Sequence, residues 1–106
     1  MTETYKYDWN SLKRQVPDWF RDAKFGLFFH WGPYSVPAYK DEWYSRNMYA
    51  KGLPHNLHHE ETYGSLKDFG YKNFYKGMTG AKFDPEAWAD LVVRSGAKYA
   101  GPVSEH

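Results

Sequence analysis

Six residues of this 106-residue chain combine a reactive side chain with a position where it could be used: His30, Glu42, His55, His59, Glu105 and His106. His30 ends the apolar run Phe25-Gly26-Leu27-Phe28-Phe29 and is followed by Trp31 and Gly32. Such a run, bounded by turn residues, reads as a strand buried on both faces, as in a parallel sheet covered by helices. The carboxyl end of that strand is where α/β proteins bind ligands, and the imidazole sits there. A histidine in that place can also do no more than satisfy a nearby carbonyl. Glu42 stands beside Trp43, a carboxylate next to an aromatic plate, which suits a ligand with hydroxyls on one side and an apolar face on the other. A helix N-terminus with a packed tryptophan explains the same dipeptide. His55 and His59 have the i, i+4 spacing that can bring two imidazoles to one metal ion. No third ligand is evident, and a solvated, histidine-rich helix face after Pro54 accounts for them, so neither a metal nor a cofactor is expected.

The elements that position these residues follow from local signals. Residues 1 to 12 are polar and aromatic without a clear period. Pro17 sets up a short helix over Asp18-Trp19-Phe20-Arg21-Asp22, since proline is tolerated in a first turn. Gly32 to Pro37 is turn-rich and reads as a loop. Asp41 to Tyr49 reads as a short helix beginning at the acidic pair. Residues 64 to 80, with four glycines among aromatics, read as irregular loop with one helical turn. The clearest helix is Asp84 to Gly96, with Asp84 at N-cap, Pro85 at N1 and Gly96 at the left-handed C′ position. Trp88, Leu91, Val92 and Ser95 lie at 3- and 4-residue spacing and predict one buried stripe. Ala97 to Val103 reads as a second strand, made atypical by Pro102.

The order strand, long loop with small helices, helix, strand describes two parallel strands joined by a right-handed crossover. Parallel neighbours bring their carboxyl ends together. His30 and His106 should therefore face one pocket, with Glu42 reaching in from the intervening loop.

Composition limits the function classes. The formal net charge is +1, and no long basic run occurs, which argues against nucleic-acid and membrane-surface partners. There are no cysteines, hence no disulfide framework and no thiolate metal site. No apolar signal core or 18-residue apolar run is found, so the expected location is cytoplasmic. Isoleucine is absent, whereas the chain has 5 Trp, 10 Tyr and 7 Phe. Its apolar surface is aromatic, and most of these rings are expected in the core.

Four separate segments resemble one known family. Trp19 to Gly26 running into Phe29-His30-Trp31-Gly32-Pro33-Tyr34-Ser35-Val36-Pro37, then Glu42 to Tyr49, Phe83 to Leu91, and Gly96 to Ala100 are similar, in order, to the start of the retaining α-L-fucosidases of glycoside hydrolase family 29. The resemblance implies an α/β fold, the N-terminal portion of a (β/α)8-like barrel but not a complete barrel, with residues 1–106 a truncated part of the catalytic domain. It also implies α-L-fucosides as substrates, with fucose held by His30, Trp31, Glu42, Trp43 and His106, the last standing where the family has a His-His pair. The family's later nucleophile and acid/base have no counterpart in this sequence. Retaining hydrolysis needs two carboxyl groups about 5 to 5.5 Å apart. Glu42 and Glu105 are the expected pair, contributed by different copies of the chain. Two strands cannot close a barrel, which takes about 250 residues. Open strand edges pair with something, and a homo-oligomer is expected. The competing expectation is an inactive, self-associating fragment that binds fucose weakly.

Overall fold

The computed structural model describes residues 6–13 and 16–106; the reading of residues 1–5 lies outside them. In chain order the elements are α1 (Trp9–Lys13), α2 (Asp18–Ala23), β1 (Gly26–Phe29), a 3₁₀ turn (Pro33–Ser35), α3 (Tyr44–Asn47), α4 (Pro54–Tyr63), a 3₁₀ helix (Tyr71–Gly77), α5 (Pro85–Arg94) and β2 (Tyr99–Pro102). The two strands pair with each other in a two-stranded sheet. Lys98 N–H donates to Phe25 O and Val103 N–H to Phe29 O, so the register advances together along both strands and the pair is parallel, as expected. The chain divides into two compact units, one of Pro85–Ala100 with the residues up to Leu27, the other of Phe28–Asp84 with Gly101–His106.

In the first unit, Pro17 is extended (φ −68°, ψ 148°) immediately before α2, and Lys24 ends that helix at φ 61°. Trp19 and Phe20 of α2 both meet the Tyr99 ring, with centroids 6.2 and 5.2 Å away. Tyr99 in turn lies over Gly26, where any Cβ would collide with the phenol ring. α5 begins at Pro85 with Glu86 in its first turn, and Gly96 takes φ 83°, the left-handed conformation expected of it. Asp90 and Arg94 form an i, i+4 ion pair at 2.8 Å on the exposed side.

Three sequence expectations change here. The predicted stripe of α5 is not buried: Leu91 is 59% and Trp88 38% exposed. β1 is not covered on both faces either, since Phe28 is 74% exposed. Periodicity identifies which face wants to be covered but not whether a neighbour covers it, and two strands leave most of that surface without one. α1 is a short helix where no period was discernible, one turn and a half being too short to display it.

The second unit carries the core: Tyr34, Tyr44, Met48 and Phe74, with Tyr39, Tyr63, Leu66, Phe69 and Tyr71 packed around them. The rings meet mostly edge to face, as Tyr63 and Phe69 do against Phe74 at 5.0 and 5.1 Å, the arrangement that ring quadrupoles favour. The core is aromatic as expected, but Trp9, Trp19 and Phe28 remain among the exposed large side chains.

α4 is bounded by Pro54 at its first position and Gly64 at φ 89°. Its face is not the solvated one expected. His55, Asn56 and His59 are its buried residues, while Leu57 is 57% exposed. Polar side chains point inward because partners await them. His59 is fully enclosed between Tyr44 Oη (3.1 Å from Nδ1) and Phe69 O (2.7 Å from Nε2). Asn56 donates to Met48 O at 2.9 Å and accepts from Gly52 N–H at 3.1 Å, clamping the α3–α4 connection. These hydrogen bonds offset the desolvation that would otherwise keep such groups at the surface.

Candidate functional site

His30 is the first residue beyond β1, and His106 lies four residues beyond β2. Parallel pairing continues past the strand ends through the Val103 N–H to Phe29 O bond. The two imidazoles consequently meet, with ring centroids 5.0 Å apart at 84°. Glu42 completes the group: its Oε1 is 4.0 Å from His30 Nε2, and one donor atom from each of the three residues falls within 4.8 Å of the others. Convergence at the carboxyl ends of the strands is the arrangement read from the sequence, except that His106 is not among the residues lining the pocket that His30 and Glu42 share.

A network that the sequence did not reveal fixes Glu42 and Trp43. Asp41 Oδ1 accepts from Trp43 N–H at 3.1 Å and pairs with His55 Nε2 at 3.0 Å. The backbone carbonyl of Asp41 takes Tyr44 N–H as well. α3 therefore starts at Tyr44, not at the acidic pair, whose residues form the turn before it. Ala38 (φ 47°) and Lys40 (φ 60°) both adopt left-handed backbone just before this turn, a strained conformation of the kind that concentrates where side chains must be aimed. His55, 6% exposed, supports the turn from behind, and its Nδ1 is buried without a hydrogen-bond partner.

His30, Tyr34, Ala38, Tyr39, Lys40, Asp41 and Glu42 line an open pocket of about 270 Å³. Trp43, 47% exposed, is not the packed tryptophan of the alternative reading; its ring stands 4.8 Å from that of His106. Tyr34 approaches both histidines, at 6.5 and 6.1 Å between centroids. Burial and the Glu42 carboxylate push its phenol up from the usual value, keeping it a neutral hydroxyl. Tyr39 stacks on His58 at 3.8 Å and 4°.

The remaining candidates make other contacts or stand outside the cluster. Trp31 packs on Phe83 at 5.1 Å. Glu105 is exposed and outside the three-residue cluster. His55 and His59, which share the metal-ligand spacing, are instead engaged separately by Asp41 and by Tyr44 with Phe69.

An α/β strand pair that presents imidazoles, a carboxylate and an indole at its carboxyl end has these side chains where parallel α/β sheets bind their ligands. The family model described as alpha-L-fucosidase matches residues 1–106, and the chain is a member of that family. Tissue alpha-L-fucosidases from Bos taurus and Homo sapiens are 41% and 40% identical to it over 104 residues, 96% of this chain and 22% of theirs. The chain thus spans about a fifth of the length of these relatives. The Thermotoga maritima alpha-fucosidase in complex with a mechanism-based inhibitor superposes with a TM-score of 0.85 at 42% identity, covering 97% of this chain and 27% of that one. Its complex with fucose matches at 0.84. The open pair of parallel strands corresponds to the N-terminal part of a fucosidase barrel domain, as the sequence implied. Among the described residues no helix is long and apolar enough to cross a membrane.

Proposed function

We propose that residues 1–106 form part of the catalytic domain of a retaining α-L-fucosidase and supply one wall of its fucose subsite. The observation that carries this reading is the meeting of His30, Glu42 and His106 in one cluster, with Trp43 beside His106. Imidazole nitrogens and a carboxylate can each engage a sugar hydroxyl, and an exposed indole can cover the apolar face of the ring. A related protein at 42% identity forms a complex with fucose, which fits this chemistry.

Hydrolysis needs a nucleophile and an acid/base in addition to binding. We assign these roles to Glu42 and Glu105, brought together from different copies in a homo-oligomer. Exposed strand surface and the uncovered Leu91 and Val93 of α5 favour self-association, and they equally favour the second reading, a self-associating chain that binds fucose without cleaving it. Aryl-group release from an aryl α-L-fucoside by size-fractionated protein separates the two, with His30→Ala purified in parallel. Turnover that follows the oligomer peak and falls in His30→Ala supports hydrolysis. Fucose binding without turnover leaves the second reading, and neither property overturns both.

A further inference from the structure

The three clustered side chains have a chemistry beyond sugar binding. Two imidazoles and one carboxylate are the His₂Glu donor set of open zinc sites, in which three protein ligands leave a position for water or another small molecule. Such ligands, at about 2.0–2.2 Å from the metal, lie roughly 3.3 Å from one another around a tetrahedral ion. The donor atoms here lie within 4.8 Å of one another, so small rotations of the side chains close the set.

The surroundings permit that closure. The side chains of His30 and Glu42 are 25% and 31% exposed, and His106 is exposed, so none is locked by packing. The imidazole planes are nearly perpendicular, which keeps the two rings from colliding as their nitrogens approach one centre. Lys40, the cation in the same pocket wall, holds its ammonium over the Tyr39 ring, 5.7 Å from its centroid, and Glu42 Oε1 lies 4.0 Å from His30 Nε2. Behind the turn, the Asp41 bond to Trp43 N–H keeps the Glu42 backbone in place, the supporting role that outer groups play around metal ligands.

We propose that His30, Glu42 and His106 bind one zinc-type divalent ion per chain, and that ion and sugar exclude each other. Exclusion follows because nitrogen lone pairs and a carboxylate oxygen committed to the metal can no longer accept hydrogen bonds from hydroxyls. The exclusion rests on the fucose reading above; the metal site does not.

Titration of the tag-free full chain with Co²⁺ and Zn²⁺, followed by visible absorption and calorimetry, tests the site. The expected result is one saturable ion per chain, weakened at least about tenfold in His30→Ala and in Glu42→Gln and unchanged in His58→Ala. Circular dichroism reports whether each variant is folded, and His106→Ala, altering an exposed residue, serves if either of the others is not. Absence of saturable binding overturns the proposal, as does affinity unaffected by the cluster variants or lost equally in His58→Ala. L-Fucose binding is then measured with and without saturating Zn²⁺. Loss of fucose binding in zinc supports exclusion, and unchanged binding overturns it. A chain that binds Zn²⁺ through these residues but never fucose overturns the sugar reading and leaves the metal site standing.

Discussion

Tyr44 Oη stands 3.1 Å from His59 Nδ1 in a core where both residues are fully buried, and the opposite nitrogen of that ring is 2.7 Å from Phe69 O. A carbonyl can only accept, so Nε2 carries the proton and the Tyr44 hydroxyl donates to Nδ1. Burial is the main cause that pushes the Tyr44 phenol up to about 12, with Tyr63 and Tyr39 adding to it. The unfolded chain therefore loses this proton first, near 10, and the associated stability is complete below that pH and disappears as pH climbs towards 12. The expected loss is about 2–3 kcal/mol in urea unfolding across that window. Tyr44→Phe should flatten this limb and, at neutral pH, cost about 1–3 kcal/mol by stranding His59 Nδ1. An unchanged alkaline limb in the variant would refute the assignment.

Asp41→Ala removes the acceptor shared by His55 and the Trp43 amide. With His55 Nδ1 already unpaired, the variant leaves both ring nitrogens of a buried imidazole without partners. The expected destabilisation is about 1–3 kcal/mol. Trp43 fluorescence should also change, because the turn before α3 loses its clasp. Asp41→Asn, which keeps an oxygen acceptor, should recover most of both, and equal damage by the two variants would argue against this role.

Gly26→Ala places a methyl group against the Tyr99 ring, which cannot retreat without leaving Trp19 and Phe20. Overpacking of this kind costs about 1–3 kcal/mol. Thermal unfolding should register the loss, and Gly26→Ala combined with Tyr99→Leu should show non-additivity of the opposite sign. Simple additivity would mean that the two residues are independent.

Leu91 and Val93 are 59% and 73% exposed on α5. The Leu91→Lys/Val93→Lys pair should lower the sedimentation coefficient of an assembled chain by placing charge where apolar surface seeks cover. A sedimentation profile identical to that of the parent would exclude α5 from self-association.

Legibility varied with the distance over which each residue's fate is decided. The Pro85 start and Gly96 stop of α5 depend on a few neighbouring residues and were readable. The meeting of His30 with His106 was also readable, because parallel pairing leaves little choice about which ends coincide. His55, Asn56 and His59 were not, since nothing in Pro54–Tyr63 announces that Asp41, Met48 and Phe69 will offer partners. A mixed polar pattern looks solvated until those groups are located. The outward-facing stripe of α5 and the bare faces of β1 mislead in the opposite direction, because periodicity records a demand for cover that this length of chain does not meet.

The pairing of β1 with β2 joins ends separated by about 70 residues, a closure whose entropic cost grows as the logarithm of loop length and is roughly 4 kcal/mol before any contact repays it. The Tyr44, Met48, His59 and Phe74 core forms from segments much closer in sequence. Loop closure therefore favours the aromatic core over the strand pair, though by only about 0.6 kcal/mol for each doubling of the loop. A ligand held between His30 and His106 would bind across the strand pair that closes this longer loop, and would stabilise that pairing by mass action.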